Sequence, residues 1–166
     1  MQISELKNGS VFLDTNILLF AYTTTKFSPS CEILLELVER ERVVGYVNPT
    51  VIDEFFHKIL LTQIYMEKHL MPKDAVAYIK QHPDMLTGYT APYKITKELL
   101  GNFRLIVLDT SEDLIDALNI SEQYGLLFSD ALHAACARNN HIDYFVTNDR
   151  DFDRVDFLSI VKPDNS

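Results

Sequence analysis

Apolar residues along this chain follow two rhythms: short runs of branched and aromatic residues alternate with longer stretches where apolar positions return every three or four residues. The first run, Val11-Phe12-Leu13, breaks at Asp14 and gives way to Ile17, Leu18 and Leu19. It predicts a strand, then a helix over about 16–23 that starts at Asn16. Ile33, Leu34, Leu37 and Val38 keep helical spacing, with Glu32, Glu36, Glu39 and Arg40 as the solvated face. Val43 to Val47 predicts a second strand, which Asn48-Pro49-Thr50 stops while opening a long helix from about Thr50 to His69. Pro72 opens a further helix through Val76 and Ile79, closed by His82-Pro83. The segment from Asp84 to Asn102 mixes Gly88, Tyr89, Pro92, Tyr93, Lys94 and Lys97 and finishes in a helix closing at Gly101. Phe103 to Leu108 predicts a third strand, followed past Asp109-Thr110-Ser111 by a helix to about Tyr124. Ser129 caps a helix whose inner face is Ala131, Ala134 and Ala135. Asp143 to Thr147 predicts the fourth strand and Val155 to Val161 a fifth, edge strand before a polar tail, Pro163 to Ser166.

Strands alternating with helices imply an α/β fold, a parallel sheet with helices on both faces joined by right-handed crossovers. A chain of 166 residues is one ordinary domain, 1–166, able to bury roughly two-thirds of its unfolded surface. With 47% hydrophobic and 23% charged residues it reads as a soluble globular protein. The opening Met1 to Lys7 lacks the apolar core of a signal peptide, and no charge-free run approaches the ~20 residues that span a bilayer. The expectation is a cytoplasmic protein with no membrane partner. Cys31 and Cys136 stand singly in apolar surroundings and read as core thiols. A net charge of -9 argues against gripping nucleic acid by a broad basic surface. It leaves open an acidic site that reaches phosphate through metal ions.

The acids fall at matching places in this framework. Asp14 ends the first strand, Asp149 with Asp151 and Asp153 follows the fourth, and Glu54 and Asp130 lie near helix starts. If the first and fourth strands are neighbours, four carboxylates converge. Two unit charges ~4 Å apart repel by about 4 kcal/mol at an effective dielectric of 20, so such a cluster needs protons or cations. Hard oxygen ligands of this kind suit Mg²⁺ or Mn²⁺. Each acid also has a plainer explanation taken singly. Asp14 can cap the next helix, Asp130 can answer a helix dipole, Glu54 can pair with Lys58 one turn on, and Asp151 and Asp153 can be solvated loop acids. Asp53 projects about 100° from Glu54 on a helix, so only one of the two faces the site. Lys58 and Arg150 are the nearest basic candidates for a substrate phosphate, and His57 and His133 read as packing residues.

Phe12-Leu13-Asp14-Thr15-Asn16, Glu54 in the helix after the second strand, Ser129-Asp130-Ala131-Leu132 and Thr147-Asn148-Asp149-Arg150-Asp151-Phe152 together resemble the successive motifs of the PIN-domain nucleases, including VapC-type toxins. The likeness runs from about Val11 to Val161. It implies a three-layer PIN-like fold around a five-stranded parallel sheet of order 3-2-1-4-5, and a ribonuclease dependent on Mg²⁺ or Mn²⁺. It further implies an RNA substrate cut to 5′-phosphate and 3′-hydroxyl ends, a homodimer, and an antitoxin partner if the chain is the toxin of a toxin-antitoxin pair. By position, Asp14, Glu54, Asp130 and Asp149 match the family's catalytic and metal-holding quartet. Thr147 matches its small hydroxyl residue, Asn16 a polar neighbour of the first acid, and Asp151 an acid beside the fourth. The chain is longer than the most compact of these toxins, and the segment 84–102 accounts for the excess.

Three other readings compete. Glu54 with His57, and Asp130 with His133, each set an acid three residues before a His, as di-iron carboxylate helical bundles do; the strand-like runs at Phe103 to Leu108 and Tyr144 to Thr147 oppose it. A Mg²⁺-binding phospho-acceptor module would also place acids at strand ends, but no Lys stands at the end of a late strand where such a module places one. A catalytically silent PIN-like interaction module would share the fold without the turnover.

Overall fold

The computed structural model describes residues 1–165. Five strands, β1 (Ser10–Leu13), β2 (Val44–Val47), β3 (Ile106–Val107), β4 (Tyr144–Val146) and β5 (Ile160–Val161), form one parallel sheet in the order β3-β2-β1-β4-β5. β1 is central, with Phe12 registered against Tyr46 on one side and Phe145 on the other. Because helices cover both faces, Val11, Phe12 and Leu13 are all fully buried, which is why that strand is a continuous apolar run rather than an alternating one.

The helices are α1 (Thr15–Ala21), α2 (Ser28–Glu39), α3 (Pro49–Lys68), α4 (Pro72–Gln81), α5 (Thr90–Asn102), α6 (Leu114–Tyr124) and α7 (Phe128–Asn139). α3 is set by a complete start signal: the Asn48 side chain accepts from the Val51 N–H at 3.0 Å and Pro49 occupies the first turn. The segment 84–102 resolves into a 3₁₀ turn, Pro83–Gly88, and then α5. With the outer half of α3 and with α4, this segment builds a second small core around Leu60, Ile64, Ala75 and Tyr89.

Several elements differ from the pattern reading. The third strand shrinks to two residues because Phe103 caps α5 and Arg104 takes a left-handed φ of 50°, so extension begins only past the turn. The fifth is equally short, since Val155 and Leu158 close turns on Phe152 and Val155 before Ile160 pairs. α1 begins at Thr15, one residue earlier than Asn16, with Asp14 in the cap position but making no side-chain capping bond. α7 begins at Phe128 behind Leu127, so Ser129 is a first-turn residue and caps nothing. The tail is stitched down: Asp164 receives the Ser4 N–H at 3.0 Å and its hydroxyl at 2.6 Å. Ser166, at the end of the expected tail, lies outside the described residues. The sheet excludes the helical-bundle reading, and His57 is exposed, which removes half of the paired acid-His motif that suggested it.

Candidate active site

Asp14 leaves β1 at the carboxyl edge of the sheet, where its N–H still bonds to the Val146 carbonyl at 3.1 Å. That ladder contact brings the ends of β1 and β4 together, at the strand edge where open α/β sheets bind ligands. Asp14 is 6% exposed, and its Oδ2 accepts from the Thr147 hydroxyl at 2.6 Å and from the Asn16 amide. The fully buried Thr147 oxygen in turn accepts from the Asp149 N–H at 2.9 Å and from the Asn16 Nδ2 at 3.1 Å. Asn16 closes the loop by accepting from the Asn148 N–H at 3.0 Å. One hydroxyl and one amide thus lock the first acid to the loop that carries the fourth.

Glu54 comes from the second turn of α3. Its Oε2 accepts from the Thr15 hydroxyl at 2.7 Å and lies 3.9 Å from Nε2 of the fully buried His133. Asp130 comes from the first turn of α7 and is half-buried. Burial first, and then the charges of Asp14, Asp149 and Glu54, push its carboxyl above the ordinary range, with His133 pulling the other way. Asp130 thus lies within electrostatic reach of the other three acids. Asp14 is likewise raised, by burial above all and also by Glu54, with the Thr147 hydroxyl and His133 opposing. Glu54 is drawn down to about 2 by the facing His133, and by Thr15 and Lys58, against its desolvation. Burial and neighbouring charge thus weigh against the ionised forms of Asp14 and Asp130, whereas Glu54 is held charged.

Among the described residues, no three His, Cys, Asp or Glu side chains form a closed group that could hold a metal ion by themselves. Mg²⁺ does not need one: it keeps several waters and is commonly held by one or two carboxylates together with substrate phosphate. The buried Asp14 and the half-buried Asp130 supply hard oxygen donors of the kind such an ion takes.

The structure separates the quartet from its neighbours. The N–H of Asp151 donates to the Asp149 Oδ1 at 2.8 Å, while its own carboxylate pairs with Arg154 at 3.0 Å, so it shapes the loop. Asp153 pairs with Lys162 at 2.8 Å, a loop acid as expected. Lys58 and Arg150 are both exposed; Lys58 stands one turn beyond Glu54 beside a groove with Leu61, Tyr65 and Met71. The plainer alternative for Glu54, a surface ion pair with Lys58, is not among the ion pairs of the described residues; Thr15 and His133 face that carboxylate instead. The expectation that no Lys ends a late strand also fails. Lys162 follows β5 directly, donates to the Asp149 carbonyl at 2.8 Å and pairs with Asp153, buttressing the loop. Pattern reading took Asn48 as a helix start and His133 as a packing residue, as the structure has them, but gave neither these two nor Thr15 a part in holding Glu54. Thr15 and His133 each sit beside a recognised acid, and their spacing from it was the available signal.

A PIN domain family model matches residues 11–158. Ribonuclease VapC2 of Methanocaldococcus jannaschii is 30% identical over 162 residues, covering 98% of this chain and 99% of that protein. Ribonuclease VapC6 of the same organism is 26% identical over 160 residues, covering 93% and 97%. Two solved structures share the fold. VapBC2 from Rickettsia felis bound to a DNA fragment from their promoter superposes with a TM-score of 0.60 at 21% identity, covering 93% of this chain and 99% of that one. FitAB bound to IR36 DNA gives 0.55 at 15% identity, covering 92% and 94%.

Proposed function

The chain belongs to the PIN-domain family, and on that premise we propose that it is a metal-dependent endoribonuclease, the toxin of a toxin-antitoxin pair, working as a single domain over 1–166. The observation that carries the reading is the buried Asp14 at the carboxyl end of β1, bonded through Thr147 and Asn16 to the loop that carries Asp149. The curated relatives named as ribonucleases support the RNA substrate, and the VapBC2 and FitAB structures support an antitoxin partner.

When bound, Mg²⁺ or Mn²⁺ supplies a water of lowered pKa and neutralises charge on phosphate oxygens. Asp14 and Asp149 would be the principal holders of that ion, and Glu54 and Asp130 would complete its surroundings directly or through water. Thr147 and Asn16 fix the Asp14 carboxylate so that only Oδ1 remains to turn toward the crevice. Lys58 and Arg150 lie on the exposed approach, where they meet the phosphates of an RNA strand. No side chain serves as nucleophile, and the products carry 5′-phosphate and 3′-hydroxyl ends. A homodimer is supported by the exposed apolar face of α6, Leu114, Ile115 and Leu118, continued by Leu127 and Phe128 at the start of α7. Among the described residues no helix is long and apolar enough to cross a membrane, which agrees with a cytoplasmic place of action.

The test incubates the purified chain and Asp14→Asn with a structured RNA pool, with Mg²⁺ or Mn²⁺ and with excess chelator, and maps the cut ends. The wild type cleaves only with metal, while Asp14→Asn stays folded and inert. Cleavage in chelator, or undiminished cleavage by the variant, refutes the assignment.

A further inference from the structure

His133 is fully buried one turn after Asp130 on α7, its ring 5.6 Å from that of Phe12. Its two nitrogens have different fates. Nδ1 lies 3.1 Å from the Nδ2 of Asn48, whereas Nε2 has no hydrogen-bond partner among the described residues and faces the Glu54 Oε2 at 3.9 Å. Asn48 is fully buried as well, and its amide cannot be turned over, because Oδ1 must accept the Val51 N–H that starts α3. Nδ2 is therefore the donor to His133. A neutral imidazole that accepts at Nδ1 carries its proton at Nε2. The helix cap of α3 thus dictates that the ring aims an N–H at the acid carried on the next turn of that same helix.

We propose that Asn48 and His133 form a buried positioning pair for Glu54, holding its Oε2 together with Thr15 and leaving Oε1 to the site. A buried N–H left bare is costly, and moving the ring and carboxylate together by about 1 Å brings the contact into hydrogen-bond range. The arrangement also ties two acids to one another: Asp130 and His133 share a turn of α7, and His133 reaches across to α3. Only the catalytic readout of this inference rests on the nuclease reading.

Two measurements on the full chain test it. In the wild type, the ring ¹⁵N signals of His133 show a proton on Nε2 and none on Nδ1, and Glu54→Gln moves the Nε2 signal. A proton on Nδ1 instead, or an Nε2 signal indifferent to Glu54→Gln, overturns the proposal. This arm needs no replacement of His133, so it decides even where changing a buried ring unfolds the chain. In the second, His133→Phe lowers kcat for RNA cleavage by about 10- to 100-fold with KM little changed. His133→Gln, whose amide N–H reaches the Nε2 position, recovers most of that loss. In a Glu54→Asp background, which withdraws the carboxylate, His133→Phe costs little more. Equal losses for Phe and Gln, or full additivity with Glu54→Asp, overturn the proposal. A wild type that cleaves no RNA refutes the nuclease reading alone, and the tautomer still decides the pair.

Discussion

Thr147→Val removes one oxygen atom from the centre of the site and leaves the shape of the side chain almost unchanged. That oxygen makes three bonds, donating to the Asp14 Oδ2 at 2.6 Å and accepting from the Asp149 N–H at 2.9 Å and the Asn16 Nδ2 at 3.1 Å. The first is charge-assisted and worth roughly 1.5–3 kcal/mol net, and each neutral bond roughly 0.5–1.5 kcal/mol. Asp149 is exposed and Asn16 partly so, and both recover part of their loss by bonding water. Asp14, at 6% exposure, recovers little. The expected loss is therefore about 2–4 kcal/mol, a large share of the ~5–15 kcal/mol that holds an ordinary domain together. Urea unfolding at pH 7 in chelator, comparing wild type, Thr147→Val and Thr147→Ser, measures it. Serine keeps the hydroxyl and loses a methyl, costing about 1 kcal/mol. If valine is no worse than serine, the hydroxyl does not hold Asp14 in place and the account of the site's rigidity is wrong.

Other perturbations probe the framework and the remaining charges. A Cβ added at Gly45 would lie 2.8 Å from the Val38 Cγ1 and 2.9 Å from the Leu105 Cδ2, so Gly45→Ala lowers stability by about 1–3 kcal/mol through overpacking; an unchanged melting temperature contradicts this. Asp143 accepts from both the N–H and the hydroxyl of Ser10, and the backbone bond above all holds its carboxyl below the usual 3.8. A depressed folded value means the stabilisation exists above pH 3.8 and fades as pH falls further, so wild type and Asp143→Asn differ in melting temperature at pH 7 and converge in strong acid. A gap that widens on acidification reverses the sign and refutes the argument. Burial pushes the thiols of Cys31 and Cys136 up to about 12, so neither is alkylated at pH 8 until urea unfolds the chain. Prompt labelling of the native protein would count against that burial.

What the sequence settled by itself was the local grammar. Val11-Phe12-Leu13 announces a strand buried on both faces, Asn48-Pro49 a helix start, and the periodic apolar residues of α2, α3 and α7 the helices that flank the sheet. Those signals are short-range, carried by sterics, capping and the spacing of apolar positions, and they survive without knowledge of neighbours. The family motifs marked the four acids because each sits immediately beside such a signal. The lengths of β3 and β5 were out of reach, since a strand exists only where a partner offers a ladder, and the turns at Arg104 and Val155 delay that pairing. The partners of Glu54 were equally hidden. A carboxylate with Lys58 one turn away looks like a surface pair until the tertiary structure places Thr15 and His133 against it from two other helices. Hydrogen bonds between residues 39 or 85 positions apart, such as Thr15 to Glu54 and Asn48 to His133, leave no periodic trace in the chain. Burial strengthens such bonds and makes an unpaired partner costly, and only the packed fold decides which polar groups are buried together.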